Sequence, residues 1–425
     1  MRVISILLLA VLLTMSSAVG QTIQQPRKVK VFGDTAAADT LDIYGLLNGN
    51  APGDFPTSGV PYAVVVGKGG KFVVGAGGFI KAVAGWDFGH PIASADEFIT
   101  SQIPMRPMEG DGSRFNLSAR QSELYVNFVA LPGQKDQIGA FVGVNFLDDG
   151  YMPVVQYAYL KWRGLKAGYD NTLFSDPACG PPTVDYEGPC SNTCSPNAVV
   201  SYTYDFGPWT VAAGAELPQA SFTIVEGKTK EVTQRVPDIP IAVKYSWDSG
   251  NSWVRGSAIL RALTYRDMVI SRNYSCAGYG FQVSGVETFL NRFTLYYQGV
   301  WGKGIGSMLQ DTQGEGLDMV PVGEEARLKP VMLWGGFVGL RCDICDRLAM
   351  SATYSQERTY ADAFEGGATE RGNLYRYAQY VSANIFFSAT EFLEVGLENI
   401  WGRRVNYDGM KCGDDRLQCS LQFTF

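Results

Sequence analysis

The residues of this chain that could do chemistry are a single histidine, scattered carboxylates and eight cysteines. His90 has no serine and aspartate arrangement around it that would form a catalytic triad. Glu394 and Glu398 are four residues apart, which in a strand separates them by about 13 Å, too far for paired catalytic carboxylates. The glycines of 67–70 lack the spacing of a phosphate-binding loop. We therefore expect neither an enzyme nor a cofactor.

The first twenty residues have the pattern of an export signal. Arg2 precedes an apolar run, and Ala18 and Gly20 supply small residues for cleavage. A membrane anchor is the alternative, but the run is too short to cross a bilayer core. We expect residues 1–20 to be a signal peptide cleaved near Gly20, so that the mature chain is exported.

Export makes the cysteines candidates for disulfides, because exported proteins meet an oxidising compartment. Cys342 and Cys345 have a spacing that zinc sites also use, but zinc needs a second ligand pair and the chain has one histidine. Local disulfides are therefore favoured over a metal site, with their pairing left open. The candidate cysteines are Cys179, Cys190, Cys194, Cys276, Cys342 and Cys345.

Composition favours β structure and disfavours nucleic acid as a partner. The chain has 49 glycines, 23 phenylalanines and 22 tyrosines, which is typical of strand-rich proteins. Its formal net charge of −7 disfavours nucleic acid as a partner.

Apolar and polar residues alternate with a period of two from residue 72 to the end. In 72–88 the apolar Ile80 and Trp86 share one face, and Lys81 and Asp87 share the other. A run of this length exceeds the usual strand of about five or six residues. Sixteen alternating runs are predicted as strands, at 72–88, 114–131, 138–147, 154–163, 165–174, 198–206, 209–217, 239–247, 253–263, 277–288, 292–302, 327–341, 347–357, 374–387, 391–401 and 417–425.

The links between these runs alternate in length. Links after the even-numbered runs are short, such as Gly164, whereas most links after the odd-numbered runs are long and polar, such as 175–197. An outer-membrane β-barrel has short periplasmic turns and long extracellular loops, which explains the alternation. Tryptophans near strand ends, such as Trp162 and Trp209, fit the aromatic girdles of such barrels. The sequence therefore predicts a transmembrane antiparallel barrel of sixteen strands.

The last run ends the chain on Phe425, with apolar residues at alternate positions. Because every backbone group must be paired in lipid, the final strand of a barrel has to meet the first. A terminal phenylalanine on such a strand resembles the signal that the outer-membrane assembly machinery reads.

Three stretches resemble the DcaP-like trimeric porins. They are KFVVGAGGFIKAVAGWDFG (71–89), GSRFNLSARQSELYVNF (112–128), and GLENIWGRRVNYDG with DRLQCSLQFTF (396–425). The resemblance implies a homotrimeric barrel over 71–425 that passes small anionic solutes, especially dicarboxylic acids. Family members often carry a helical heptad segment before the barrel, but 21–70 has no sustained apolar heptads. We expect 21–70 to form a small periplasmic element, a plug or a flexible lead.

Cationic residues on the polar face of the strands are candidates for lining the pore, because the apolar face must meet lipid. A cationic lining attracts anions, and arginine offers a fork that fits carboxylates. The alternative is that these charges pair across strands and only solvate the wall. Position 120 follows a change of parity, and a bulge there could aim it into the pore. The candidates are Lys81, Arg120, Lys161, Arg261, Arg292 and Arg376.

These patterns together predict an outer-membrane porin for passive diffusion of small hydrophilic solutes, with a preference for anions. The expected partners are outer-membrane lipid and lipopolysaccharide, the assembly machinery, further copies in a homotrimer, and small anionic solutes. The alternatives are a structural or surface-exposed barrel with a blocked lumen, and a soluble secreted β protein. Long loops such as 218–238 and 303–326 could narrow the mouth, but the sequence does not say which loop does so.

Overall fold

The structure is a computed structural model that describes residues 29–53, 59–105, 112–148, 150–323, 325–361 and 374–425. The predicted signal peptide and the first residues of the predicted periplasmic segment lie outside these ranges.

Most of the described chain is β-strand. The strands are β1 Lys30–Gly33, β2 Ala63–Val66, β3 Phe72–Phe88, β4 Ser113–Ser118, β5 Glu123–Ala130, β6 Ile138–Asn145, β7 Val154–Trp162, β8 Leu165–Asn171, β9 Pro196–Phe206, β10 Trp209–Glu216, β11 Thr229–Glu231, β12 Ile239–Trp247, β13 Ser252–Asp267, β14 Arg272–Phe289, β15 Phe293–Lys303, β16 Met319–Val322, β17 Arg327–Pro330, β18 Met332–Cys345, β19 Leu348–Tyr360, β20 Tyr375–Ser388, β21 Leu393–Asn406 and β22 Lys411–Thr424. The helices are Thr35–Ala38 and Ile43–Asn50, with single 3₁₀ turns at Lys68–Gly70, Thr100–Gln102, Pro177–Cys179, Asp248–Gly250 and Gly306–Met308.

The wall closes on itself as an antiparallel barrel. The last strand, β22, pairs with the first wall strand, β3, and Leu417 lies opposite Trp86. Strand β3 pairs on its other side with both β4 and β5, which are two halves of one wall strand interrupted at 119–122. With these halves counted once, the wall has sixteen strands, β3–β10, β12–β15 and β18–β22. The predicted sixteen-stranded barrel is confirmed.

Alternation sorts the side chains of the wall into an apolar outer face and a polar inner face. On the outer face Ile80 is 55% exposed and Leu260 is 63% exposed, as a hydrocarbon-facing surface requires. On the inner face Asn127, Ser284 and Gln418 are fully buried. Polar residues are therefore buried inside this protein and apolar residues cover its outside, the reverse of a water-soluble fold.

The short turns lie at one end of the barrel, as predicted. Arg163 and Gly164 form a two-residue turn between β7 and β8, with φ angles of 50° and 83°. Positive φ at both central positions matches the twist of a tight hairpin, and glycine accepts it without strain.

Several predicted strand boundaries are wrong. The strands predicted at 253–263 and 277–288 extend to Ser252–Asp267 and Arg272–Phe289, so the link between them is a short turn. Residues 327–330 belong to a two-stranded hairpin of β16 and β17 outside the wall. Strand β17 ends at Pro330, which has no N–H group with which to continue a ladder.

Residues 29–53 and 59–66, called the N-terminal segment below, lie at the short-turn end. Strand β1 pairs in parallel with β2, and β2 extends the wall by pairing with β3, where Val65 lies opposite Val74. The helix Ile43–Asn50 begins at Asp42, whose carboxylate accepts a hydrogen bond from Gly45 N at 3.0 Å. No helix in the described residues is long and apolar enough to cross a membrane.

Candidate functional site: the pore and its constrictions

Residues 172–195, the extracellular link between β8 and β9, fold back into the barrel and are called the inner loop below. The carboxylate of Glu398 on β21 accepts hydrogen bonds from the N–H groups of Val184 (2.9 Å) and Asp185 (2.8 Å). Glu398 is fully buried on the inner face of the wall. The backbone of the inner loop is therefore fixed to a wall carboxylate.

The inner loop also reaches other parts of the wall. The hydroxyl of Ser284 on β14 donates to Asp176 at 2.7 Å, and the side-chain amide of Asn384 on β20 donates to the Pro182 carbonyl at 2.8 Å. Each of these wall residues faces the lumen, so the loop crosses the barrel interior and narrows it.

Glycines on the inner face make room for this loop. A Cβ atom at Gly396 would lie 2.7 Å from a methyl group of Val184, and one at Gly339 would lie 2.6 Å from Pro181. Because both distances are shorter than any real carbon contact, a side chain at either position would displace the loop.

Two further extracellular loops pack onto the inner loop. From the loop after β3, Phe98 N donates to Asp185 Oδ1 at 2.9 Å. From the same loop, Thr100 Oγ1 donates at 2.7 Å to Asp311 Oδ1, which belongs to the loop after β15. These contacts join three extracellular loops into one assembly over the lumen.

Arg261 connects this loop assembly to the wall strand β13. Its guanidinium donates to Asp238 Oδ2 at 3.0 Å and to Asp318 Oδ1 at 3.1 Å, and these carboxylates come from two different loops. It also donates to the Gly304 carbonyl at 2.7 Å and to the Ser307 hydroxyl at 3.0 Å. The Arg261 side chain is fully buried. This residue, predicted to line the pore, therefore binds the extracellular loops in the structure.

Acidic side chains of the loops are protonated more readily than ordinary carboxyls. Burial and the nearby Glu398 carboxylate raise the pKa of Asp185, Arg416 lowers it, and the net result is a pKa of about 7. Burial also raises the pKa of Glu187 well above its usual range, and it raises the pKa of Asp311. Ionisation of Asp185 near neutral pH therefore bears on how firmly the loops pack.

Lys81 and Arg120 lie on the lumen side but are bound by loops. Lys81 Nζ donates to the Val184 carbonyl at 2.8 Å, and Arg120 Nε donates to Asp96 Oδ2 at 2.9 Å. Arg120 belongs to the interruption at 119–122, where the change of parity in the sequence suggested a bulge.

Arg292 and Arg376 lie at opposite ends of the barrel. Arg292 is exposed in the periplasmic turn between β14 and β15. The Arg376 guanidinium lies 5.8 Å from the ring centre of Tyr407, which belongs to the extracellular turn after β21. The six predicted cations therefore do not converge on one site. Strand alternation determines which face of the wall a residue occupies, but not its position along the barrel axis.

Lys161, on β7 near the periplasmic end, binds the C-terminal end of the helix Ile43–Asn50. Its Nζ donates to the carbonyls of Gly49 (3.2 Å), Asn50 (3.0 Å) and Ala51 (3.4 Å). Carbonyls at a helix C-terminus have no helical partner, so a cation there is favourable.

A cavity of about 920 Å³ opens beside this helix at the periplasmic mouth. One side is formed by the helix, including Leu46 and Asn50, and another by the wall, including Thr203. Its charged lining residues are Asp42, Lys135, Lys161, Arg163, Lys166 and Asp205, so that bases outnumber acids.

Four bases on the inner face, called the basic row below, form two like-charged pairs on two pairs of adjacent strands, which β9 and β10 separate. Lys161 lies directly opposite Lys166 in the β7–β8 ladder, and Lys244 lies directly opposite Arg255 in the β12–β13 ladder. Like charges directly opposite each other destabilise a sheet. Part of the charge is offset, since Lys166 forms an ion pair with Asp170.

The structure contains none of the expected disulfides among its described residues. All eight cysteines lie in the described part of the chain, and each is a free thiol. Cys342 and Cys345 belong to one strand, β18, where residues three apart are separated by about 10 Å, beyond the reach of a disulfide.

The other four candidate cysteines are held by separate partners. The Cys179 thiol lies 3.8 Å from Gln298 Oε1, and the Cys190 thiol lies 3.3 Å from the Ser355 hydroxyl. The Cys194 thiol donates to Asn171 Oδ1 at 3.2 Å, and the Cys276 thiol donates to a backbone carbonyl at 3.8 Å. Within the residues that the structure describes, no group of three or more histidine, cysteine or acidic side chains could hold a metal ion.

Sequence reasoning missed one charged pair in the pore wall. Arg416 on β22 and Asp87 on β3 are direct partners across the closing seam, and their side chains are fully buried. Arg416 also donates to the Ser94 carbonyl at 2.8 Å. The polar face of the last strand was a usable signal, because Arg416 shares it with Gln418.

Comparison with solved structures finds the same barrel in other outer-membrane channels. The outer membrane channel DcaP of Acinetobacter baumannii matches with a TM-score of 0.71 and 15% identity, over 83% of this chain and 97% of that chain. An anion-selective porin from Comamonas acidovorans matches with a TM-score of 0.53 and 9% identity, over 83% of this chain and 100% of that one. The trimer form of OmpT from Vibrio cholerae matches with a TM-score of 0.50 and 12% identity, over 83% of this chain and 99% of that one.

Sequence comparison gives the family. No curated protein matches the chain. The model of the porin subfamily matches residues 135–389, which is more than half of the chain. The predicted relation to DcaP-like porins is confirmed, since the family is a porin family and the fold is that of DcaP. The chain belongs to the porin subfamily and is an outer-membrane channel protein.

Proposed function

We propose that the protein is a porin for passive diffusion of small hydrophilic solutes, with a preference for anions of the dicarboxylate type. The observation that carries the preference is the basic row of Lys161, Lys166, Lys244 and Arg255 on the inner face. Opposed like charges destabilise a sheet, and Asp170 offsets the charge of Lys166. Lys161 and Arg255 donate to backbone carbonyls, which are neutral and do not cancel their positive charge. The positive potential that is left in a narrow aqueous passage raises the local concentration of anions.

The cavity at the periplasmic mouth supports the same preference. Lys161 and Lys166 line it together with Lys135 and Arg163, and a dicarboxylate leaving the pore would pass these four bases. The cations at the extracellular end give less support, because Arg120 and Arg261 form ion pairs with loop carboxylates. Lys81 donates to the Val184 carbonyl and does not line this cavity.

The proposal includes assembly and location. We propose a homotrimer in outer-membrane lipid and lipopolysaccharide, reached through a signal peptide cleaved near Gly20 and through recognition of the strand that ends at Phe425. The resemblance to trimeric porins and the continuous apolar outer face, with Ile80 and Leu260 exposed, support this arrangement.

The selectivity test reverses charge within the basic row. Lys166→Glu combined with Lys244→Glu should move the reversal potential under a salt gradient from anion preference toward cation preference. Arg327→Glu combined with Lys329→Glu is the matched control, because it makes the same total charge change on exposed residues of the extracellular hairpin. Equal ion selectivity in the double variant, the control and the unmodified protein would contradict the claim that the basic row produces the anion preference.

A second candidate function is a structural barrel with a blocked lumen, and one observation favours it. The extracellular loops share an apolar cluster that includes the fully buried Ile92, Phe98 and Ile103 and packs against Tyr380 of the wall. A correctly folded barrel that gives no conductance steps in a planar bilayer would support this second function over the first.

A further inference from the structure

The N-terminal segment is built into the periplasmic mouth of the barrel. Leu47, in the helix Ile43–Asn50, is fully buried against Val73 of β3 and Val129 of β5, whose side chains face the lumen. Ala51, directly after the helix, packs against Phe141 of β6. The helix therefore lies against the inside of the wall rather than beneath the rim.

Asn50 makes the most specific contact. Its side-chain amide donates to Asn127 Oδ1 at 2.7 Å and to the Ala140 carbonyl at 3.0 Å, on two neighbouring wall strands. In return, the Asn127 amide donates to the carbonyls of Leu47 (2.8 Å) and Gly59 (2.9 Å). Buried amides with this many partners are costly to separate.

Two further wall residues bind the end of the helix. The Tyr159 hydroxyl donates to the Asn50 carbonyl at 2.8 Å, and Lys161 donates to the same carbonyl at 3.0 Å. Both belong to β7, the fourth wall strand that contacts the segment after β3, β5 and β6.

The wall is also shaped to receive the segment. A side chain at Gly139 would collide with the Asn50 amide, and a Cβ atom at Gly77 would lie 2.8 Å from Pro61. Both glycines face the lumen, so the fit of the segment depends on missing side chains in the wall.

We propose that the N-terminal segment is a resident plug that narrows the periplasmic mouth, and that its release opens a state of larger conductance. The helix forms one side of the 920 Å³ cavity, so solute leaving the pore passes between the helix and the bases of the wall. The proposal rests on the proposed porin function, because a plug has a measurable effect only on a conducting barrel.

The test loosens the plug without altering the charges of the pore. Asn50→Ala changes only the plug, and Tyr159→Phe removes only one hydroxyl from the wall. Loss of buried hydrogen bonds should raise the fraction of time in the larger conductance state roughly tenfold in Asn50→Ala, with a further increase in the double variant. Thr203→Ala, which lines the same cavity from β9, is the control and should behave as the unmodified protein does.

Hydrogen exchange of the helix amides measures release independently of conductance. Faster exchange in Ile43–Asn50 together with longer openings supports the plug. Faster amide exchange in the helix without a larger conductance state contradicts the proposal that the segment is a plug. Unchanged exchange and conductance in the double variant also overturn it, because these contacts would then not hold the helix. If the unmodified protein and all variants fail to conduct, the proposed porin function is wrong. If all of them conduct at one common level, the porin function stands and only the plug is contradicted.

Discussion

Arg261 shows how a buried charge is used in this barrel. One guanidinium bridges Asp238 and Asp318, two carboxylates that are 80 residues apart in the chain. Arginine suits this position because its planar fork offers five donors in fixed directions. The alternation of β13 indicates that Arg261 faces the lumen, but the two carboxylates come from loops whose docking no periodic pattern encodes.

Replacement of Arg261 by methionine should destabilise the loop assembly. It leaves Asp238 and Asp318 as buried carboxylates without their countercharge, which typically costs about 3–5 kcal/mol. Thermal unfolding in detergent should show a lower midpoint, and limited proteolysis should cut the loops after β10 and β15 faster. Arg292→Met, on an exposed periplasmic turn, is the matched control and should change neither measurement. Equal stability of the two variants would contradict the role given to Arg261.

At the scale of elements, the inner loop narrows the extracellular half of the barrel together with the loops after β3 and β15. Its length and polarity are visible in the sequence, but its docking is not, because the docking depends on Glu398, Asn384 and Ser284 from three distant strands. Its three cysteines suggested covalent stiffening, whereas the structure stiffens it through hydrogen bonds to the wall.

Docking of the inner loop should weaken as pH rises. The pKa of Asp185 is about 7 in the docked loop and near 3.8 in a solvated one, so the docked state binds the proton more tightly. Its stability is therefore full below pH 3.8 and is lost progressively between that value and about pH 7. The groups around Asp185 include Glu398, whose charge adds to the effect, and Lys81 and Arg416, which oppose it.

Conductance measured from acid to neutral pH tests this dependence. Mean conductance and current noise should increase with pH across this interval, and Asp185→Asn should flatten the response. A pH response of the same size in Asp185→Asn would mean that another group is responsible.

At the scale of the whole molecule, closure of the barrel was predictable and the contents of its lumen were not. The period of two, the parity of the links and the terminal strand at Phe425 all follow from local sequence, because pleat and turn geometry act over a few residues. Loop docking, the position of the helix Ile43–Asn50 and the heights of the cations depend on contacts between distant residues. The predicted boundary at 327–341 failed for a local reason, since Pro330 interrupts the ladder.

The ion pair at the seam between β22 and β3 should contribute to the stability of the whole barrel. Arg416 and Asp87 form a fully buried ion pair where the last strand meets the first. Arg416→Met leaves the buried Asp87 carboxylate without its countercharge, which typically lowers the free energy of unfolding by about 3–5 kcal/mol. The temperature at which the folded barrel unfolds, followed by its mobility on a gel, should therefore fall. Arg403→Met, in the neighbouring strand β21 and only partly buried, should leave that temperature unchanged. The same shift in both variants would show that the seam pair has no special role.

The most direct test of the central claim, a water-filled and anion-preferring channel, is the reversal potential of the purified protein in a planar bilayer under a potassium chloride gradient. Stable conductance steps with a reversal potential displaced toward that of chloride are the predicted result. A correctly folded barrel that gives no conductance would contradict the channel, and a displacement toward potassium would contradict its preference for anions.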